Sequence, residues 1–102
     1  GQSSRSSALF VPASDLAVAL AVASAVTDRP VRAGTCAFGE VGLAGEVRPV
    51  TGAHRRLSEA ARLGFRYAVV PKGVLGAGPV PPEVQVVEVG TVLEAVQALA
   101  AP

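Results

Sequence analysis

The sequence contains no tryptophan and no methionine, one tyrosine and three phenylalanines, a single cysteine and a single histidine among its 102 residues. Each shortage excludes something. With so few large rings, a core must be filled by small aliphatic side chains, and the 50% of the chain that is hydrophobic is mainly Ala and Val. Such a core depends on close approach of helix to sheet. One cysteine rules out an internal disulfide framework and suits a reducing compartment. Cys36 has no Cys or His near it in sequence to make it a metal ligand or an activated nucleophile, so it reads as a small buried strand residue. Long apolar runs are missing as well. Leu16 to Val26 contains Ser24 and spans 11 residues, against the ~20 that cross a bilayer. It reads as a buried helix of a soluble, cytoplasmic protein with no membrane partner.

What is present fits one small domain. The net charge of +1 is uninformative, but its distribution is not. Residues 1–44 balance, with Arg5, Arg29 and Arg32 against Asp15, Asp28 and Glu40. Residues 45–66 carry Arg48, Arg55, Arg56, Arg62 and Arg66 against Glu46 and Glu59, a surplus of three positive charges. Residues 67–102 set Lys72 against Glu83, Glu88 and Glu94. The positive charge is concentrated in the middle.

Residues 1–8 begin with the polar, aperiodic GQSSRSS and are expected to be a disordered terminus or a cloning remnant, leaving the folded domain at 9–102. Leu9–Val11 suits the end of a strand, and Pro12 stops it. Ser14 or Asp15 then caps a helix over about 14–27 that is apolar on nearly every face and must be covered by a sheet or several neighbours. Pro30 blocks its continuation. From Arg32 to Val50 short extended runs alternate with glycines 39, 42 and 45, a pattern for tight turns or bulges in a β-hairpin.

An amphipathic helix follows at about Ala53–Leu63, with Ala53, Leu57, Ala60 and Ala61 on one stripe and Arg55 and Arg62 opposite. Gly64 closes it. Arg66–Pro71 and Val84–Val89 read as strands separated by a Gly/Pro loop, and Thr91 with Glu94 forms a capping box that opens a last helix to about Ala100. The fold class is α/β (α+β), with helices packed on a mixed sheet. No Gly-Lys-Ser/Thr follows the glycines, so they do not form a nucleotide-phosphate cradle.

Three segments in fixed order carry a family resemblance: Pro12-Ala13-Ser14-Asp15, then Arg29-Pro30-Val31, then FGEVGLAGEVRPVTGAHRRLSEAARL from Phe38 to Leu63, continued by Gly64-Phe65 and Val69-Val70-Pro71. Over about residues 12–100 the chain resembles the proteolytic domain of the Lon protease family, which implies that fold. In active members the first motif holds a nucleophilic serine, and a lysine at the start of the Arg-rich helix is its base. Those positions fall here on Ala13 and Arg56. Alanine has no heteroatom to attack a carbonyl, and arginine stays protonated and cannot accept the hydroxyl proton. The resemblance therefore implies a domain without proteolytic activity. By the same resemblance, the domain at 9–102 is expected to lack N-terminal strands that usually precede the Pro12 motif.

Two residues are candidate substitutes for the lost dyad, Ser14 and His54. Ser14 lies one residue along, where a helix would rotate it by about 100° away from the base, and it reads more simply as an N-cap. His54 has no acidic residue beside it to orient the ring. Asp15 reads as a carboxylate favourably placed at a helix N-terminus.

Within the Lon-like group, Asp15-Leu16-Ala17-Val18-Ala19, Phe38-Gly39-Glu40-Val41-Gly42-Leu43 and Arg55-Arg56 look most like the C-terminal domain of the RadA (Sms) family of DNA repair proteins. That resemblance implies a parent protein with a DNA-dependent ATPase domain in cis, acting on single-stranded or branched DNA as a homo-oligomer, a hexamer. ATP and zinc would belong to other parts of that parent, with no cofactor and no metal in this domain. Arg48, Arg55, Arg62 and Arg66, with Arg56 and Lys72 as second choices, are the expected phosphate-contacting residues. Two other readings stand beside this one. The arginines can be an ordinary solvated face on a domain that is purely an oligomerisation scaffold, or the chain can be an active peptidase through Ser14 or His54.

Overall fold

The computed structural model describes residues 15–28, 32–76 and 78–100, the side chains of residues 99 and 100 excepted. In chain order the elements are α1 (Asp15–Thr27), β1 (Thr35–Ala37), β2 (Glu40–Val41), β3 (Val47–Arg48), α2 (Ala53–Arg62), β4 (Tyr67–Pro71), β5 (Gln85–Val89) and α3 (Val92–Ala100). The strand expected at Leu9–Val11 and the caps expected around Ser14 lie outside the described residues.

Alternation along β4 explains the layering. Successive strand side chains point to opposite faces. Ala68 and Val70 join Cys36, Phe38, Leu57, Ala60 and Leu75 in one buried cluster under α2. Val69 faces the other way and joins Leu16, Leu20, Ala37, Val89 and Ala95 under α1 and α3. The domain is thus three layers, with a helix on one side of a sheet and two on the other.

The sheet itself corrects the expectation of one mixed sheet. Among the described residues there are two: a parallel sheet in the order β1-β4-β5 and a separate antiparallel pair, β2-β3. Thr35–Ala37 leaves the hairpin and pairs with β4, Cys36 opposite Ala68. All three residues of β1 are buried, and a strand covered on both faces belongs in a parallel layer between helices. The hairpin pairs Glu40 with Arg48 and Val41 with Val47.

The first helix also departs from expectation. Leu16, Ala17 and Leu20 are buried, but Val18, Val22 and Val26 are 62%, 56% and 78% exposed. A straight helix presents only one stripe to a sheet. Among the described residues nothing covers the opposite stripe.

Connections between parallel strands differ in kind. From β1 to β4 the chain passes through the hairpin and α2. From β4 to β5 it crosses through residues 72–84, with no helix among the described residues there. Leu75 and Val84 from this crossover are buried in the cluster beneath α2, so it runs on the α2 side.

Helix ends follow their local sequence. α2 stops in a Schellman turn: Gly64, at φ +92°, donates its N–H to Ala61, and Phe65 donates to Ala60. A Cβ at Gly64 would meet nothing within 4 Å. Gly64→Ala therefore isolates the cost of a left-handed backbone from any clash. It is expected to lower stability by about 1–2 kcal/mol, measured as a reduced urea midpoint at unchanged slope. At α3, Thr91 Oγ1 accepts the Glu94 N–H at 3.1 Å, as the capping box requires. The Glu94 carboxylate reaches one residue farther than the motif predicts, to the Gly90 N–H at 2.6 Å.

Candidate functional site

α2 carries most of the middle positive charge. Ala53, Leu57 and Ala60 are buried, so the helix must show its opposite face to solvent, and Arg55, Arg56 and Arg62 are exposed there. Arg55 and Arg62 are seven residues apart, nearly two turns, and share one stripe. The expected arginines are not equivalent, however. Arg62 is paired with Glu59, and Arg48 donates to Glu46 at 2.9 Å. Arg56 donates its Nε–H to the Thr51 carbonyl at 3.1 Å. Among the described residues Arg55 and Arg66 engage no carboxylate.

The pairs shift the groups in the expected directions. The Arg62 guanidinium holds the Glu59 carboxyl below the usual range, and Glu59 raises Arg62 in return. Glu46 is held low by its own backbone N–H, by Arg48 and by the Ala44 N–H. Glu94 is held low by the Gly90 N–H and then by the charge of Lys72. These are exposed pairs, worth little individually, and a phosphate can compete for the arginines in them.

Nor do all six residues sit together. Arg66 immediately precedes β4 and Lys72 immediately follows it, which separates them by about 20 Å at ~3.3 Å per residue. Arg55 and Arg62 are joined by the helix that carries them. Arg48 is on the hairpin, and Lys72 lies at the opposite end of β4 from Arg66.

The starts of α1 and α2 lie at the carboxyl ends of the parallel strands, where open α/β sheets place their ligand crevices. Leu16 donates its N–H to Gly39, two residues past β1, at 2.9 Å. A Cβ at Gly39 would stand 3.0 Å from Val47 Cγ1 and 3.3 Å from Leu16 Cδ2, so only glycine lets the helix and the hairpin approach this closely. Arg56, at the position of the base in the Lon-like resemblance, stands in the first turn of α2 at this edge. Ala13 and Ser14 lie outside the described residues.

His54, also in that first turn, faces no carboxylate. Its Nδ1 lies 2.8 Å from the Pro79 carbonyl oxygen and its Nε2 2.7 Å from that of Leu75. No sequence signal pointed to this contact, because both partners are more than 20 residues away. Two other contacts were equally invisible. Arg32 stacks its guanidinium 4.8 Å from the centre of the Tyr67 ring, and the Glu88 carboxylate accepts the Gly73 N–H at 2.7 Å.

Cys36 is buried on β1, where its thiol contacts the Tyr67 carbonyl at 3.4 Å. Desolvation pushes it up to about 12, so it stays protonated and unreactive in the folded chain. Among the described residues no group of three or more His, Cys, Asp or Glu is placed to hold a metal ion. No helix there is long and apolar enough to cross a membrane.

Comparison with known proteins finds sequence relatives named as DNA repair proteins. The DNA repair protein RadA of Mycolicibacterium smegmatis is 54% identical over 88 residues, covering 86% of this chain and 18% of that protein. RadA of Listeria monocytogenes is 48% identical over 86 residues, 84% of this chain and 19% of that protein. RadA of Streptococcus pneumoniae is 47% identical over 83 residues, 81% of this chain and 20% of that protein. The chain spans about a fifth of the length of these curated relatives. Matched over residues 9–74, well over half of its length, by the family model described as subunit ChlI of Mg-chelatase, the chain belongs to that family.

Proposed function

We propose that the chain is a non-proteolytic, Lon-like domain of a RadA-type DNA repair protein, where it contributes contacts to the DNA backbone and helps to assemble a ring of subunits. The observation that carries this reading is α2, whose inner face is locked into the core while its outer face offers Arg55, Arg56 and Arg62. Guanidinium groups on a rigid helix suit phosphate oxygens and carry no base readout. The names of relatives 47–54% identical over most of this chain support the repair context. Ala13 and Arg56, where a Ser–Lys dyad would stand, supply neither a nucleophile nor a proton acceptor. ATP and zinc chemistry, and the ATPase activity, belong to other parts of the cytoplasmic parent protein.

A second reading is favoured by a different observation. The exposed Val18, Val22 and Val26 stripe of α1 suits a purely structural scaffold that touches no DNA. Deleting this domain from the full-length parent separates the two. Sedimentation velocity is expected to show smaller species, and DNA affinity is expected to fall further than the loss of multivalency explains. Smaller species whose per-subunit DNA affinity is unchanged would leave only the scaffold. A ring that persists without the domain would remove the assembly role.

A further inference from the structure

We propose that His54 is a protonation-dependent latch that fastens the helix-free crossover between β4 and β5 onto the start of α2. Both ring nitrogens lie at hydrogen-bond distance from backbone carbonyl oxygens, Nε2 at 2.7 Å from Leu75 and Nδ1 at 2.8 Å from Pro79. A carbonyl oxygen only accepts. A neutral imidazole carries one N–H, so it can satisfy one of the two and must turn a lone pair toward the other. The imidazolium carries two N–H groups and satisfies both. The contact geometry is therefore that of the charged ring.

The crossover has reason to need such a fastening. It joins parallel strands, a connection that is usually made by a helix packed along its length. Here the described residues of 72–84 form no helix, and apart from its end at Val84 the crossover is buried in the core at Leu75. His54 grips the same segment at Leu75 and again at Pro79, four residues on. Gly78, between them, lies so close that a Cβ there would collide with the ring atoms Cε1 and Nε2. Segment and ring fit each other in one arrangement.

Charged groups sit on each element around the latch. On α2 the charged neighbours are Arg55, Arg56 and Glu59, and Glu59 is engaged by Arg62. The crossover is flanked by Lys72 at its start and Glu83 near its end. On β5, Glu88 is bonded to the Gly73 N–H. No described carboxylate bonds the imidazole. Proton binding and latching are coupled. The doubly bonded state needs the protonated ring, and one of its bonds is lost when the ring gives up a proton.

Amide hydrogen exchange of the 102-residue chain between pH 5 and 8.5, each rate referred to the unprotected rate at that pH, tests the latch. Protection of amides in residues 73–80 is expected to fall about tenfold across the titration of the His54 ring, followed by its own NMR signals, while β4 amides hold steady. At the acid end both ring N–H protons should be seen. His54→Gln, whose amide does not titrate, should abolish the pH dependence whatever level of protection it leaves. Protection that stays flat across the wild-type titration overturns the proposal, as does an equal pH dependence in His54→Gln. A ring bearing a single N–H at the acid end overturns it without any variant.

Discussion

Reversing Arg55 and Arg62 to glutamate in the full-length parent protein is expected to weaken DNA binding about 10- to 100-fold near 0.1 M salt. The outer face of α2 changes from three arginines against one glutamate to one arginine against three acidic residues. The slope of log K against log salt is expected to become shallower by about 2 for each domain that loses two duplex phosphate contacts, since each contributes about 0.9. Folding should be unaffected, because both side chains are exposed and glutamate is a good helix former. Fluorescence anisotropy with a labelled duplex across a salt series measures both quantities. Reversal of Arg48 or Lys72 is expected to do less. Arg48 sits on the hairpin and Lys72 just past β4, both off the arginine face of α2. An affinity and slope that both stay unchanged in the Arg55, Arg62 double variant would show that the helix face is only solvated.

The amphipathic helix was the most legible part of the chain, for a physical reason. Its burial pattern and its closing glycine are encoded within a dozen residues, so local sequence decides them. The same holds for the Gly42–Gly45 turn and for Thr91 at the start of α3. What sequence could not decide was any choice between distant partners. Thr35–Ala37 has the composition of a hairpin strand, yet its partner is β4, some 30 residues later. The contacts of His54 depend on that topology and have no local trace. Charge was legible as a segment but not as a surface. The spacing of Arg55 and Arg62 implied a shared face, while the pairing of Arg62 with Glu59 and the distance between Arg66 and Lys72 are visible only in the structure.

The core is equally exacting. Leu57→Ala in the isolated chain is expected to reduce unfolding free energy by about 3–5 kcal/mol. Leu57 is fully buried between α2 and the sheet, and its neighbours include Ala53, Ala60 and Ala68. Alanines have no flexible side chain to swing into the vacated space, so the cavity persists and the cost belongs at the upper part of the range. A domain of this size has about 5–15 kcal/mol in total, which makes this one truncation a large fraction of it. With a urea slope of about 1–2 kcal/mol/M, the midpoint should move down by about 2–5 M. Arg55→Glu, two residues away on the exposed face, should move it by less than about 0.5 M. That contrast connects packing to function, because it tests whether α2 is a rigid platform whose inner leucine sets stability while its outer arginines do not. Equal shifts for the two variants would mean that the helix is not seated on the sheet in this register, and an arginine face in fixed geometry would then have no support.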